Sequence, residues 1–208
     1  MNEFLNLRKI RYKPKDEYKI LILGGSAVGK TDLLNRIDRN EFYDRALATI
    51  GIDSIRKKIQ LVNGIETILR IWDTAGAERF RIISRNYFKY SDCVLLIYDV
   101  TSRQSYEDAI NDFNNDINNN TRDLKLKYLI GNKIDYENER VVSKEEAEKF
   151  AEENGFYFFE ISCKDCTGID LFFNHLINEI SKIEGIESDN KIQINKRKKI
   201  GKKVNKEK

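Results

Sequence analysis

Gly24-Gly25-Ser26-Ala27-Val28-Gly29-Lys30-Thr31 decides the reading of this chain because of what stands on either side of it. Before it, Tyr18-Lys19-Ile20-Leu21-Ile22-Leu23 reads as a buried strand; after it, a helix is predicted from about Lys30 to Asp38. A G-x-x-x-x-G-K-[ST] run between a strand and a helix is a turn that wraps phosphate oxygens. Small residues let the backbone approach closely, and successive N–H groups plus the helix N-terminus supply partial positive charge. Lys30 is expected to pair with β- and γ-phosphates, and Thr31 to offer its hydroxyl to Mg²⁺. Gly25, Ser26, Ala27, Val28, Gly29 and Asp32 complete the candidate phosphate cradle.

Outward from this loop, short apolar strands alternate with helical stretches. Residues 52–62 and 65–72 read as two strands joined at Asn63-Gly64, a dipeptide that favours a tight hairpin turn. Cys93 to Tyr98 is apolar throughout, as a central strand covered on both faces should be; Leu126 to Ile130 and Phe156 to Ile161 are two more strands. Helices are expected near 80–90, 102–117, 143–154 and 169–183. The fold class is therefore α/β, with a six-stranded, mostly parallel sheet, one antiparallel hairpin partner and helices on both faces. The run from Asn111 to Asn120 is asparagine-rich, and because asparagine is a mediocre helix former this helix is expected to fray there, on a solvent face.

A chain of 208 residues with 40% hydrophobic and 34% charged residues suits one globular domain with short extensions. The longest clear apolar run, Val94 to Tyr98, is far short of the roughly 18–20 residues of a membrane span. The first residues carry no apolar signal region, and three cysteines build no disulfide framework, which fits a reducing compartment. Membrane-spanning, secreted-scaffold and fibrous classes are excluded. The net charge of +3 hides an asymmetry: nine Lys/Arg and one Glu between Lys191 and Lys208, six basic and three acidic residues in the first nineteen, and −8 between them. The expected organisation is a basic N-terminal arm at 1–16, the domain at 17–184, and a polybasic disordered tail at 185–208. The tail is expected to be solvated, with weak anionic-membrane contact open to it; no nucleic-acid partner is expected.

Three further segments sit at predicted strand ends. In Trp72-Asp73-Thr74-Ala75-Gly76, Asp73 suits the water shell of Mg²⁺ and Gly76 leaves its N–H for a γ-phosphate. In Gly131-Asn132-Lys133-Ile134-Asp135, the Asp135 carboxylate suits the N1–H and exocyclic amine of guanine, a donor pair that adenine lacks. In Glu160-Ile161-Ser162-Cys163-Lys164, a backbone N–H of Ser162, Cys163 or Lys164 can meet the base O6. An ATP-dependent kinase built on the same phosphate loop predicts no Asn-Lys-x-Asp, so Asn132 to Asp135 argues against it. Cys163-x-x-Cys166 is a single pair, short of the ligands zinc needs, and reads as incidental thiols. The sole histidine, His175, is expected at the surface or in interhelix packing.

On these residues the chain resembles a Ras-superfamily small GTPase of the P-loop NTPase fold, and within it the Rab branch. Thr49-Ile50-Gly51-Ile52-Asp53, Leu69 to Gly76, Glu78-Arg79-Phe80-Arg81 and Leu96-Ile97-Tyr98-Asp99-Val100-Thr101 carry the likeness, which covers about 18–183. The resemblance implies a GTP/GDP cycle with Mg²⁺ and switch loops near 42–51 and 74–88, ordered by the γ-phosphate and read by effector proteins. An exchange factor and an activating protein would drive the cycle, in vesicle traffic. It implies Thr49 as a ligand of Mg²⁺ and γ-phosphate, Phe42 as an aromatic edge to the guanine, and Lys133 as a stack over it. Lys30, Thr49 and Gly76 would act in catalysis, with Thr31, Thr49 and Asp73 at the metal.

Three positions depart from that pattern. Ala77 stands where the family has the glutamine that orients the attacking water, so intrinsic hydrolysis is expected to be weak while nucleotide binding survives. Activating proteins of the Rab branch resemble enzymes that insert both an Arg and a Gln from outside; the alternative is a constitutively GTP-loaded, non-hydrolysing interaction module. Ser54 replaces the phenylalanine of an aromatic trio whose other places Trp72 and Tyr87 keep, so ordinary Rab effectors are expected to bind poorly. The chain shows neither a C-terminal cysteine for prenylation nor a glycine at position 2, so a cytoplasmic protein is expected, with membrane attachment open.

Overall fold

The computed structural model describes residues 15–43, 52–74, 87–121 and 124–185. Six strands form one sheet in the order β2-β3-β1-β4-β5-β6. They are β1 (Glu17–Leu23), β2 (Ile52–Gln60), β3 (Glu66–Thr74), β4 (Cys93–Asp99), β5 (Leu126–Asn132) and β6 (Tyr157–Glu160). β1 pairs parallel with β3 and β4, β4 with β5 and β5 with β6, while β2 runs antiparallel to β3. This is the predicted sheet, with one antiparallel partner at its edge.

Side-chain alternation explains why the central strands are apolar throughout. Ile20, Ile22, Leu95, Ile97, Tyr128 and Ile130 face one layer, where they pack on α1 (Lys30–Arg39) and a C-terminal helix (Ile169–Ile183) through Leu33, Ile37, Phe172 and Leu176. Leu21, Leu23, Val94, Leu96, Tyr98 and Leu129 face the other, against Ile117, Ala147 and Ala151. All seven residues of β4 are buried. Each large apolar side chain so buried contributes roughly 1.5–3 kcal/mol.

The second layer holds α2 (Arg103–Glu107), a π-helical stretch (Asp108–Phe113) and α3 (Asn114–Asn120) as one continuous run, then α4 (Lys144–Asn154). The asparagine-rich segment is helical to Asn120, contrary to the expected fraying. Ile117 is fully buried and Asn114 nearly so, and the last turn is closed by bonds from Asn120 Nδ2 to Asp116 O and from Thr121 Oγ1 to Ile117 O. Packing and side-chain capping outweigh a few tenths of a kcal/mol of propensity per residue. The C-terminal helix, α5 (Ile169–Ile183), ends at Gly185, whose N–H caps Lys182 O.

The β2–β3 connection is also longer than the tight turn expected. The strands stop at Gln60 and resume at Glu66; Leu61 N bonds Ile65 O at 2.8 Å, and Gly64 takes φ +81°. Leu61 turns into the core, and Val62 N donates to Ser181 Oγ, so the tip is docked on α5 rather than shaped by the dipeptide alone. Of the helix expected near 80–90, residues 87–89 are helical and 80–86 lie outside the described residues. A 3₁₀ segment at Ile134–Glu139 follows β5.

The fold takes hold before β1. Lys15 Nζ reaches both carboxylate oxygens of Asp92, and Thr67 Oγ1 donates to Lys15 O. Because five strands are parallel, the loops after β1, β3, β4, β5 and β6 open on one edge of the sheet, the place where α/β folds of this kind bind ligands.

Candidate functional site

Residues 24–29 leave β1 and enter α1 under tight steric constraint. A Cβ on Gly24, which has φ +146°, would stand 2.2 Å from the Ile97 carbonyl oxygen of β4. A Cβ on Gly29, at φ +98°, would stand 2.1 Å from Asn132 Nδ2. Both positions demand glycine on two counts. Ala27 adopts φ +59°, a left-handed conformation that costs a residue with a Cβ roughly 1–2 kcal/mol. Gly29 caps α1 without a side-chain bond, and the positive end of the helix dipole there suits an anion.

Lys30 folds back over this loop. Its Nζ donates to Gly24 O at 2.9 Å and Gly25 O at 2.5 Å, and burial lowers its pKa to about 8 against the opposing pull of Asp73. Thr31 and Asp73, both expected at the metal, meet directly: Thr31 Oγ1 donates to Asp73 Oδ2 at 2.5 Å. Asp73 is wholly buried near the end of β3, beside Ile22 of β1. A hydroxyl and a carboxylate are hard oxygen donors, the set that suits Mg²⁺ held jointly with phosphate. Thr49, Gly76 and Ala77 lie outside the described residues.

The loops after β5 and β6 build a second half of the cleft. Asn132, 2% exposed, donates from Nδ2 to Val28 O at 2.9 Å and accepts at Oδ1 from Cys163 N at 3.2 Å, so one amide ties the phosphate loop to the last loop. Lys133 takes φ +71°, and its Nζ pairs with Asp99 Oδ2 at 2.7 Å. Asp135 Oδ1 accepts from Ser162 Oγ at 2.7 Å; Asp135 Oδ2 is buried with no hydrogen-bond partner among the described residues, and Lys164 Nζ stands 3.9 Å away. Ser162 Oγ in turn receives the N–H groups of Lys164 and Asp165. All three backbone N–H candidates for the base O6 are thus engaged: Ser162 N donates to Thr167 O, Cys163 N to Asn132 Oδ1 and Lys164 N to Ser162 Oγ.

Phe42 is half-buried against the core, with the Arg36 guanidinium 5.6 Å over its ring. Arg36 also donates to Cys163 O at 2.6 Å, Lys164 O at 2.7 Å and Asn40 O at 2.8 Å. Sequence reasoning missed Arg36 and Asp99. A basic residue in a helix's last turn complements the helix dipole anywhere, and nothing in its spacing links it to a loop 127 residues on. Asp32, half-buried in the first turn of α1, has its carboxyl pKa raised by burial, with Lys133 and Arg36 pulling the other way. It lies close enough to Cys163 to help burial push that thiol upward.

The remaining singled-out residues fall outside the cleft or on its rim. Cys163 is buried and Cys166 exposed. His175 packs neither between helices nor freely at the surface: it leans from α5 onto the sheet, where Tyr128 OH lies 3.1 Å from its Nδ1 and the Tyr157 and Phe159 rings flank it. Ser54 stands exposed opposite Trp72 in the β2–β3 register. Trp72 meets Tyr87 edge-on at 5.3 Å and carries the Arg70 guanidinium 5.4 Å over its ring.

Known proteins share this chain's pattern. Residues 19–182 match the model of the Ras family. The Ras-related protein RABA5c of Arabidopsis thaliana is 40% identical over 163 residues, 78% of this chain and 75% of that protein. The Ras-related protein Rab-11C of Dictyostelium discoideum is 39% identical over 163 residues, covering 78% and 72% respectively. The Ras-related protein Rab-26 of Bos taurus is 39% identical over 166 residues, 79% of this chain and 64% of that one. With a strand–glycine loop–helix cradle, a buried Thr31–Asp73 pair and an Asn132-centred second loop on one sheet edge, the chain belongs to the Ras family of small GTPases, as a Rab-like GTP-binding switch.

Proposed function

We propose that this protein serves vesicle traffic as a guanine-nucleotide switch with a slow intrinsic clock. The phosphates would lie in the loop 24–31, with Lys30 exchanging its two carbonyl partners for β- and γ-oxygens. Mg²⁺ would be held by Thr31, through Asp73, and by Thr49; once bound it neutralises charge that develops on the phosphates. Gly76 would present its N–H to the γ-phosphate. The base would rest between Phe42, Lys133 and the Ser162–Lys164 loop. Effectors would read the switch segments, with exchange and activating proteins setting the state, and the basic tail would add weak contact with anionic membrane.

The observation that carries the base assignment is the buried Asp135 Oδ2, which accepts no hydrogen bond from a described residue and has the Lys164 ammonium at 3.9 Å. A buried acceptor left without a hydrogen bond costs about 1–3 kcal/mol, so a ligand that donates there is favoured. Guanine supplies such a donor pair and adenine does not. Competition of GTP and ATP against a bound fluorescent guanine nucleotide tests it, beside Asp135→Asn. GTP displaces and ATP does not, and the variant loses guanine preference in favour of xanthine nucleotide. Unchanged guanine preference in Asp135→Asn removes Asp135 from the base pocket.

Ala77 favours a second reading on the same site, a GTP-loaded module without turnover. Hydrolysis by the missing-amide protein separates the two.

A further inference from the structure

The phosphate cradle and the base pocket are two sites that one ligand must bridge, and a carboxylate stands between them. Asp32 belongs to the first turn of α1, where the phosphate loop ends and Gly29 caps the helix without a side-chain bond. Its Oδ2 lies 3.6 Å from the point where a Cβ on Gly29 would sit, and its charge is felt at Cys163 of the base loop. Lys133 and Arg36 both face it, but neither is committed to it. Lys133 Nζ is paired with Asp99, and the Arg36 guanidinium is occupied by three backbone carbonyls. Among the described residues, no hydrogen bond or ion pair neutralises the Asp32 carboxylate directly.

We propose that Asp32 weakens the hold on guanine nucleotides by placing a negative side chain beside the segment that joins base to phosphates, and so sets a short nucleotide residence time. A carboxylate in the first helical turn interacts with the same positive helix end that the phosphates use. In a partly buried cleft, like charges within several ångströms repel far more than they do in water. The consequence bears on the switch. With Ala77 in place of the water-orienting amide, GTP leaves the protein by release as well as by hydrolysis, and Asp32 speeds that exit. This inference rests on the nucleotide-binding reading of the cleft.

The test is release of a fluorescent N-methylanthraniloyl GDP from the full chain, from Asp32→Asn and from Asp32→Glu, in Mg²⁺ at low and high salt. Asp32→Asn is expected to release about tenfold more slowly at low salt, equivalent to about 1.4 kcal/mol. Asp32→Glu should keep fast release, and the gap should shrink as salt screens the repulsion. Circular dichroism melts of the nucleotide-free proteins establish that each variant folds; if Asp32→Asn does not, Asp32→Ser takes its place. Equal release from the neutral variant and the wild type overturns the proposal. Faster release from the neutral variant overturns it too, because Asp32 would then be gripping the ligand. Retention by none of the folded proteins overturns it together with the nucleotide reading, an outcome distinct from equal and measurable release.

Discussion

Arg36 Nε stands 2.6 Å from the carbonyl oxygen of Cys163, joining the last turn of α1 to the loop after β6 across 127 positions of chain. The same guanidinium lies over Phe42 and holds Lys164 O and Asn40 O, so one planar cation fixes an aromatic edge and a backbone loop together. Lysine, a single point of charge, has no comparable fork. Arg36→Lys should therefore destabilise the protein by about 1–2 kcal/mol and accelerate nucleotide release several-fold. Urea melts and release kinetics check both; unchanged release would separate Arg36 from the base loop's geometry.

Asn132 is the second clasp. Replacing it by Ala leaves Val28 O and Cys163 N without their partner in a buried setting, and each orphaned group costs about 1–3 kcal/mol. Asn132→Ala should lower stability measurably even without nucleotide. A nucleotide-free melt equal to wild type would show that water or a neighbour replaces the amide.

Gly29→Ala meets the same clasp from below. Its Cβ would lie 2.1 Å from Asn132 Nδ2, at a φ that disfavours any side chain. The expected result is loss of nucleotide binding with destabilisation of about 2 kcal/mol or more, because strain and displacement of Asn132 act together. Gly64→Ala, at φ +81° with nothing within 4 Å, is the comparison: backbone strain alone, about 1 kcal/mol, with binding intact. Equal damage from both would assign the effect to φ rather than to the clash.

Hydrolysis tests Ala77. Under single turnover, Ala77→Gln should raise the intrinsic rate tenfold or more, given that orientation of the attacking water is the missing element. A wild type that already turns over as fast as the variant would mean another group positions the water.

His175 gives the fold a pH signature. Burial against the sheet lowers its pKa below the ordinary 6.5, with Lys182 adding to that and Glu179 opposing it. The unfolded chain therefore binds the proton more readily than the folded one. His175's contribution is complete above its unfolded pKa and is lost as pH falls through that value toward its lower folded one. Denaturant midpoints should fall from pH 7.5 toward pH 5.5, and less steeply in His175→Gln; parallel slopes would place the acid sensitivity elsewhere.

Much of this architecture is legible in the sequence. Local pattern sufficed for the strands, since a strand covered on both faces must be apolar at every position, as Cys93 to Tyr98 is. It sufficed for the phosphate loop, whose motif is complete within eight residues, although the approaches of Ile97 O and Asn132 Nδ2 that also demand its glycines come from distant strands. Asp73 and Asn132 stand at or next to the ends of β3 and β5, and Asp135 three residues beyond β5, and parallel strands end on one edge. The asparagine-rich helix and the β2–β3 turn were misread because their outcome depends on Ile117 and Leu61 reaching the core, which propensity does not report.

Other features exist only because the chain folds. That Arg36 would hold Cys163, that Lys133 would be drawn to Asp99, and that Asp32 would stand near both cations while bonded to neither are matters of distance between elements far apart in sequence. Periodicity and motif describe what a segment can do alone. Which charge meets which, and which buried oxygen is left waiting for a ligand, is decided by packing, where a few ångströms separate a hydrogen bond from an unsatisfied group.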